Sequence, residues 1–191
     1  MNRLTFLFLL LLSVLPLALQ SQPDRVYTKL SEIKHPEQVY QLKLRYKRLH
    51  RVPDVVWQCS NLRSLDLSHN LIDTLSPQIA QLSQLEELHM GRNRLRALPA
   101  ELGGLKRLRV LNLSRNPLLD LPAELGSLSS LERLVIWSTG VISLPPSFVA
   151  LDGTLKEVDM RVCPMTYDDQ VAIDELLPSV RKRWDHVCNC K

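Results

Sequence analysis

The sequence is poor in most of what a shaped pocket is made from. Aromatic residues make up 5% of the 191-residue chain, and two of its three Phe, Phe6 and Phe8, fall in the first ten positions. There are six Gly and four Cys against twelve Pro. So little glycine excludes a collagen-like chain, and an apolar share of 45% excludes a disordered one. A phosphate loop, a dinucleotide fingerprint and an H-E-x-x-H helix are all absent. Leucine fills the space instead, with 40 residues. A core built almost entirely of one side chain points to a repeated unit and away from an enzyme with a tailored site. The expectation is a non-catalytic chain with no cofactor and no metal. The length suits one domain with short appendages.

The longest apolar run, up to Leu19, follows Arg3 and is shorter than the ~20 residues a bilayer span needs. Residues 1–20 therefore read as a cleaved secretory signal, with Ala18 and Gln20 (or Ser21) near the cut. The expected location is exported: periplasmic, cell-surface or secreted. No transmembrane span would remain after cleavage.

A period of 23 organises the rest. Leu62, Leu85, Leu108 and Leu131 are 23 apart, and Leu155 follows after 24. Taking each as position 1, position 4 holds Leu65, Leu88, Leu111, Leu134 and Val158, and position 6 holds Leu67, Met90, Leu113, Ile136 and Met160. Position 9 holds Asn70, Asn93, Asn116, Thr139 and Cys163. One unit upstream, Val39, Leu42 and Leu44 keep the apolar columns, but Lys47 replaces Asn.

The pattern L-x-x-L-x-L-x-x-N/C-x-L resembles the leucine-rich repeat family. Segments such as Leu98-Pro99-Ala100-Glu101-Leu102-Gly103 are similar to its L-P-x-x-L-G-x-L type, as found in exported bacterial members. The resemblance implies an α/β fold: a right-handed solenoid, a horseshoe segment with a short parallel sheet on its concave face. It also implies that Asn70, Asn93 and Asn116 form a buried ladder at the turns after the strands. Lys47 cannot be buried in that way, so the first turn should be exposed.

The expected organisation is signal 1–20, N-terminal helical cap 21–38, six repeats 39–165, and a C-terminal helix and edge-strand cap 166–191. At the N-terminus, Val26, Tyr27, Leu30 and Ile33 have helical spacing. At the C-terminus, Thr166 and Asp169 form a capping box before a helix over 168–177, with Val171, Leu176 and Leu177 inward. Residues 180–184 alternate as a charged edge strand. Cys59 falls in a core column. Cys163 can bridge Cys188 or Cys190 in an oxidising compartment, and the spacing does not choose between them.

In this family function usually sits on the strand face. The partner-binding candidates there are Arg45, Tyr46, His69, His89, Arg92, Arg115, Trp137 and Arg161. Trp and Arg are frequent interface anchors. Position 7 points away from the Leu core, so Trp137 reads as an exposed aromatic. His69, Arg92 and Arg115 occupy one column, which suits an anionic group. Asp66 and Asp159 lie four strands apart, roughly 19 Å, too far for paired carboxylate catalysis. The expected partner is a protein with an acidic patch; the alternatives are a glycan or an envelope polyanion, or a structural surface role without a specific site. Nucleic acid is disfavoured despite a pI near 9.0, because stacking aromatics are few. Asn112-Leu113-Ser114 is a glycosylation sequon in the middle of this face.

Overall fold

A computed structural model describes residues 24–184. The described residues wind into one parallel sheet of eight short strands in sequential order. These are β1 (Val26–Tyr27), β2 (Gln41–Lys43), β3 (Ser64–Asp66), β4 (Glu87–His89), β5 (Val110–Asn112), β6 (Arg133–Val135), β7 (Glu157–Asp159) and β8 (Arg181–Arg183). The register follows the sequence period. Leu42, Leu65, Leu88, Leu111, Leu134 and Val158 pair in turn across the sheet. All six are fully buried, as are Leu67, Met90, Leu113 and Ile136 two residues on. Alternation along each strand puts these side chains on one face, so the core is a stack of leucine rows.

The return path explains the L-P-x-x-L-G segments. Pro99, Pro122 and Pro145 are extended, with ψ of 142–144°, and a 3-10 turn follows each. The turns Ala100–Gly104, Ala123–Ser127 and Pro146–Leu151 pack on one another across the outer side. Their inward Leu102, Leu125 and Phe148 are fully buried. Gly103 and Gly126 permit the close approach. A Cβ there would stand 2.2 Å from the Glu124 carbonyl oxygen and 2.5 Å from that of Ser147.

The two ends differ from each other. At the C-terminal end, α1 (Tyr167–Leu176) carries the expected capping box: Thr166 Oγ1 accepts from the Asp169 N–H, and the Asp169 carboxylate accepts from the Thr166 N–H. Its inward residue is Ile173, with Leu177 just beyond; Val171 is exposed, contrary to the spacing argument. Strand β8 ends the sheet. Lys182 stands in register with Val158, and its ammonium reaches Asp174 of α1 at 3.0 Å. A charge thus closes the leucine row. At the N-terminal end the expected helix does not form. Val26–Tyr27 is a strand paired with Gln41–Leu42, and only the 3-10 turns Leu30–Glu32 and Pro36–Gln38 follow. The exposed edge of β2 supplies backbone partners that a helix over 26–33 would leave unmet. The segments 1–23 and 185–191, with the expected signal, Cys188 and Cys190, lie outside the described residues. No helix among the described residues is long and apolar enough to cross a membrane.

Candidate functional site

The asparagine ladder sets the geometry of the strand-following edge. Asn70 Nδ2 donates to the carbonyls of Leu44 and Leu67, both at 2.8 Å, and its Oδ1 accepts from the N–H groups of Lys47 and Leu49. Asn93 bonds Leu67, Met90 and the Ile72 N–H, and Asn116 bonds Met90, Leu113 and the Leu95 N–H. Each amide therefore joins its own repeat to the one before. Lys47 is exposed, as expected, and its turn is held by the next repeat's Asn70. At the far end Thr139 Oγ1 donates to the Ile136 carbonyl at 2.7 Å, and the Cys163 thiol donates to the same oxygen at 3.3 Å. Smaller groups thus replace the amide at the last two turns.

Just before each ladder residue, the chain is left-handed. Tyr46, His69, Arg92, Arg115, Ser138 and Val162 all have φ between 53° and 59°. None is Gly or Asn, the residues that visit this region at low cost. The ladder bonds and the backbone over-determine it: the N–H of His69, Arg92, Arg115 and Ser138 each donates to the next repeat at 2.8–2.9 Å. The result is a column of six side chains on successive rungs, about 4.8 Å apart.

Within that column the Tyr46 and His69 rings stack with centroids 4.2 Å apart. The Arg115 guanidinium lies 4.4 Å over the Trp137 ring. Trp137 is therefore half-buried, which corrects its reading as the exposed aromatic of this face; Tyr46, 66% exposed, has that position. Arg92 lies on the rung between, exposed. Among the described residues neither Arg92 nor Arg115 has a carboxylate within 4 Å. His69 is held below its ordinary pKa, first by partial desolvation and then by Arg92, Arg45 and Arg115, with Asp66 opposing.

The sheet face beside the column is polar and mostly matched. A trough of about 530 Å³ is lined by Lys43, Arg45, Asp66, Ser68, His89 and Asn112 among others. Asp66 lies 3.6 Å from Arg45 and accepts from the Ser68 N–H, and His89 faces Glu87 at 3.6 Å. Asn112 Oδ1 accepts from both the N–H and the hydroxyl of Ser114. Farther along, Asp159 is buried, with Arg161 donating to both its oxygens at 2.9 and 2.8 Å. Burial would raise the Asp159 pKa, but the Arg161 bonds and the charge of Arg183 outweigh it and hold it low. Arg161, predicted as a partner contact, thus serves its own strand. Cys59 is fully buried, and burial, with Glu37, pushes its thiol up to about 11.

Comparison with known proteins fixes the family. A family model described as "Leucine rich repeat" matches residues 37–95, and one described as "Leucine Rich repeats (2 copies)" matches residues 83–125. Residues 37–125 are thus leucine-rich repeats by the two models together. No curated protein matches it. Among solved structures, a leucine-rich-repeat protein of Leptospira interrogans matches with a TM-score of 0.60 and 21% identity, over 84% of this chain and 54% of that one. An internalin (inlF) from Listeria monocytogenes matches with a TM-score of 0.60 and 16% identity, over the same shares. At such identity the likeness is one of fold. This leucine-rich-repeat chain spans about half the length of those proteins. Domains of the family commonly mediate protein–protein interaction and are typically non-catalytic.

Proposed function

We propose that the chain is an exported, non-catalytic protein-binding module that engages its partner along the concave face and the column beside it. One observation carries the reading: Arg92 and Arg115 stand on adjacent rungs, exposed, with no carboxylate within reach. Desolvating such a pair against an acidic patch gives charge-assisted hydrogen bonds that the free protein lacks. Tyr46, His69 and Trp137 supply flat surface next to the charge, the mixture typical of interface anchors. Arg45 and His89 border the patch. Export rests on the hydrocarbon segment of residues 1–20.

The test is a cross-linking pull-down with the native chain against a variant carrying Arg92→Glu, Arg115→Glu and Trp137→Ala. The source is secreted and envelope material. A species captured by the parent and lost with the folded variant supports the face. Equal capture by both overturns it. The polar trough favours a second reading, a glycan or envelope polyanion. Glycan capture in the trough would be lost with His89→Ala and Asn112→Ala together and would hardly respond to salt. Capture of an acidic protein would weaken as salt rises.

A further inference from the structure

The strand-following edge carries a second pattern, in the loops that run on from the Arg92 and Arg115 column. Its loops are residues 46–51, 69–74, 92–97, 115–120, 138–143 and 162–167. The first four hold seven Lys and Arg, with Arg92, Arg94, Arg96 and Arg115 at the centre, against two carboxylates, Asp73 and Asp120. That surplus of five exceeds the +4 of the entire chain. The last two loops hold no charged residue. From the end of the fourth loop onward the edge is apolar and exposed: Leu119 is 66% accessible, Ile142 43%, Val162 62% and Tyr167 67%. Leu119 lies across Gly140, whose Cβ would come 2.7 Å from its Cδ2, and Leu119 and Ile142, 23 residues apart, take the same place on adjacent rungs.

Scattered exposed aliphatic residues need no explanation, but a contiguous row does. A protein interface places its apolar centre inside a polar rim. Here the two parts lie end to end, over roughly five strand spacings, about 24 Å. An anionic bilayer offers both contacts at one surface: headgroup phosphates for guanidinium groups, and the acyl boundary for Leu and Ile tips. Tyr46 and Tyr167, at opposite ends of the edge, are of the type that sits at headgroup level.

We infer that this edge docks on an anionic lipid surface, with Arg94, Arg96 and their neighbours on the phosphates and Leu119, Ile142 and Val162 entering the interface. The test is co-sedimentation of the full chain with vesicles of phosphatidylcholine alone and of phosphatidylcholine and phosphatidylglycerol in equal parts. The apolar residues 4–19 contribute to both, so the difference between the two reads the edge. Arg94 and Arg96 lie off the sheet face, so these variants leave the protein-binding reading untouched. The expected result is stronger binding to the anionic vesicles. Arg94→Glu with Arg96→Glu reduces the excess by roughly fivefold per residue or more. Leu119→Ser with Ile142→Ser also reduces it, and hydrogen exchange in loops 92–97, 115–120 and 138–143 slows on vesicle addition. Equal binding to both vesicles overturns the inference, as does an excess that survives both variants. Loss with the Arg variant alone, with polyglutamate competing fully, would reveal a purely electrostatic site for acidic chains and would also overturn it.

Discussion

The two edges of the sheet are made by the same 23-residue repeat and treat charge in opposite ways. On the edge that precedes the strands, the cations at the second and third positions of the repeat meet an anion one repeat away. Arg63 faces Glu86 at 3.9 Å, Arg109 faces Glu132 at 2.9 Å, Lys156 faces the same Glu132 at 2.8 Å, and Arg133 faces Glu157 at 3.7 Å. On the edge that follows the strands, the cations face one another or an aromatic ring. A repeat automatically places like positions side by side, so like charges in a column repel. The first edge alternates sign from repeat to repeat and escapes this. The second does not, and its column remains positive. That difference separates a self-contained surface from one that gains by meeting an anion.

The comparison is broken most severely at the ladder under the positive edge. Asn93→Ala removes the partners of Ile72, Leu67 and Met90 together, and an expected loss of about 2–4 kcal/mol would appear as a lower denaturant midpoint. Gly126→Ala drives a Cβ into the Ser147 backbone and should cost about 1–3 kcal/mol, read the same way. Asn93→Ala acts on the edge that carries the column; Gly126→Ala acts on the outer side, and a column placed by the ladder should keep its binding under it.

Smaller changes sharpen the contrast. Arg92→Asn with Arg115→Asn keeps residues that tolerate positive φ, so stability should move by no more than about 0.5 kcal/mol while binding to an anionic partner weakens. Calorimetry and a binding isotherm on one sample check both halves. The matched edge responds to acid instead. Hydrogen bonds from Arg109 and Lys156 pull the Glu132 carboxyl down to about 2. A folded-state pKa below the unfolded one means stability present above the unfolded value, near 4.5, and lost as pH falls toward 2. Thermal melts of the parent and Glu132→Gln should therefore differ near neutral pH and converge by about pH 2. The difference should be small, because every group involved is solvated.

Much of the fold is legible in the sequence because a repeat states its own register. The Leu columns predict the buried rows, the Asn column predicts the ladder, and Thr166 with Asp169 marks the C-terminal helix. The N-terminal segment misleads because strand and helix spacings overlap over so few residues, and the open edge of β2 decides the matter. The left-handed column is invisible in composition: Tyr46, Arg92 and Val162 are not residues that seek positive φ, and only the ladder and the neighbouring strand hold them there. Trp137 misleads for a related reason. Pattern places it on the open face, but the length of Arg115 on the adjacent rung covers it. Arg161 is likewise read as free by position and is taken by Asp159 two residues away.

The most direct measurement is partner capture by two matched charge reversals, one on each edge. Arg92→Glu with Arg115→Glu alters the unmatched column, and Arg109→Glu with Arg133→Glu alters the matched edge. The first should abolish capture and the second leave it near the parent level. Equal loss from both, or loss from the second alone, would contradict it.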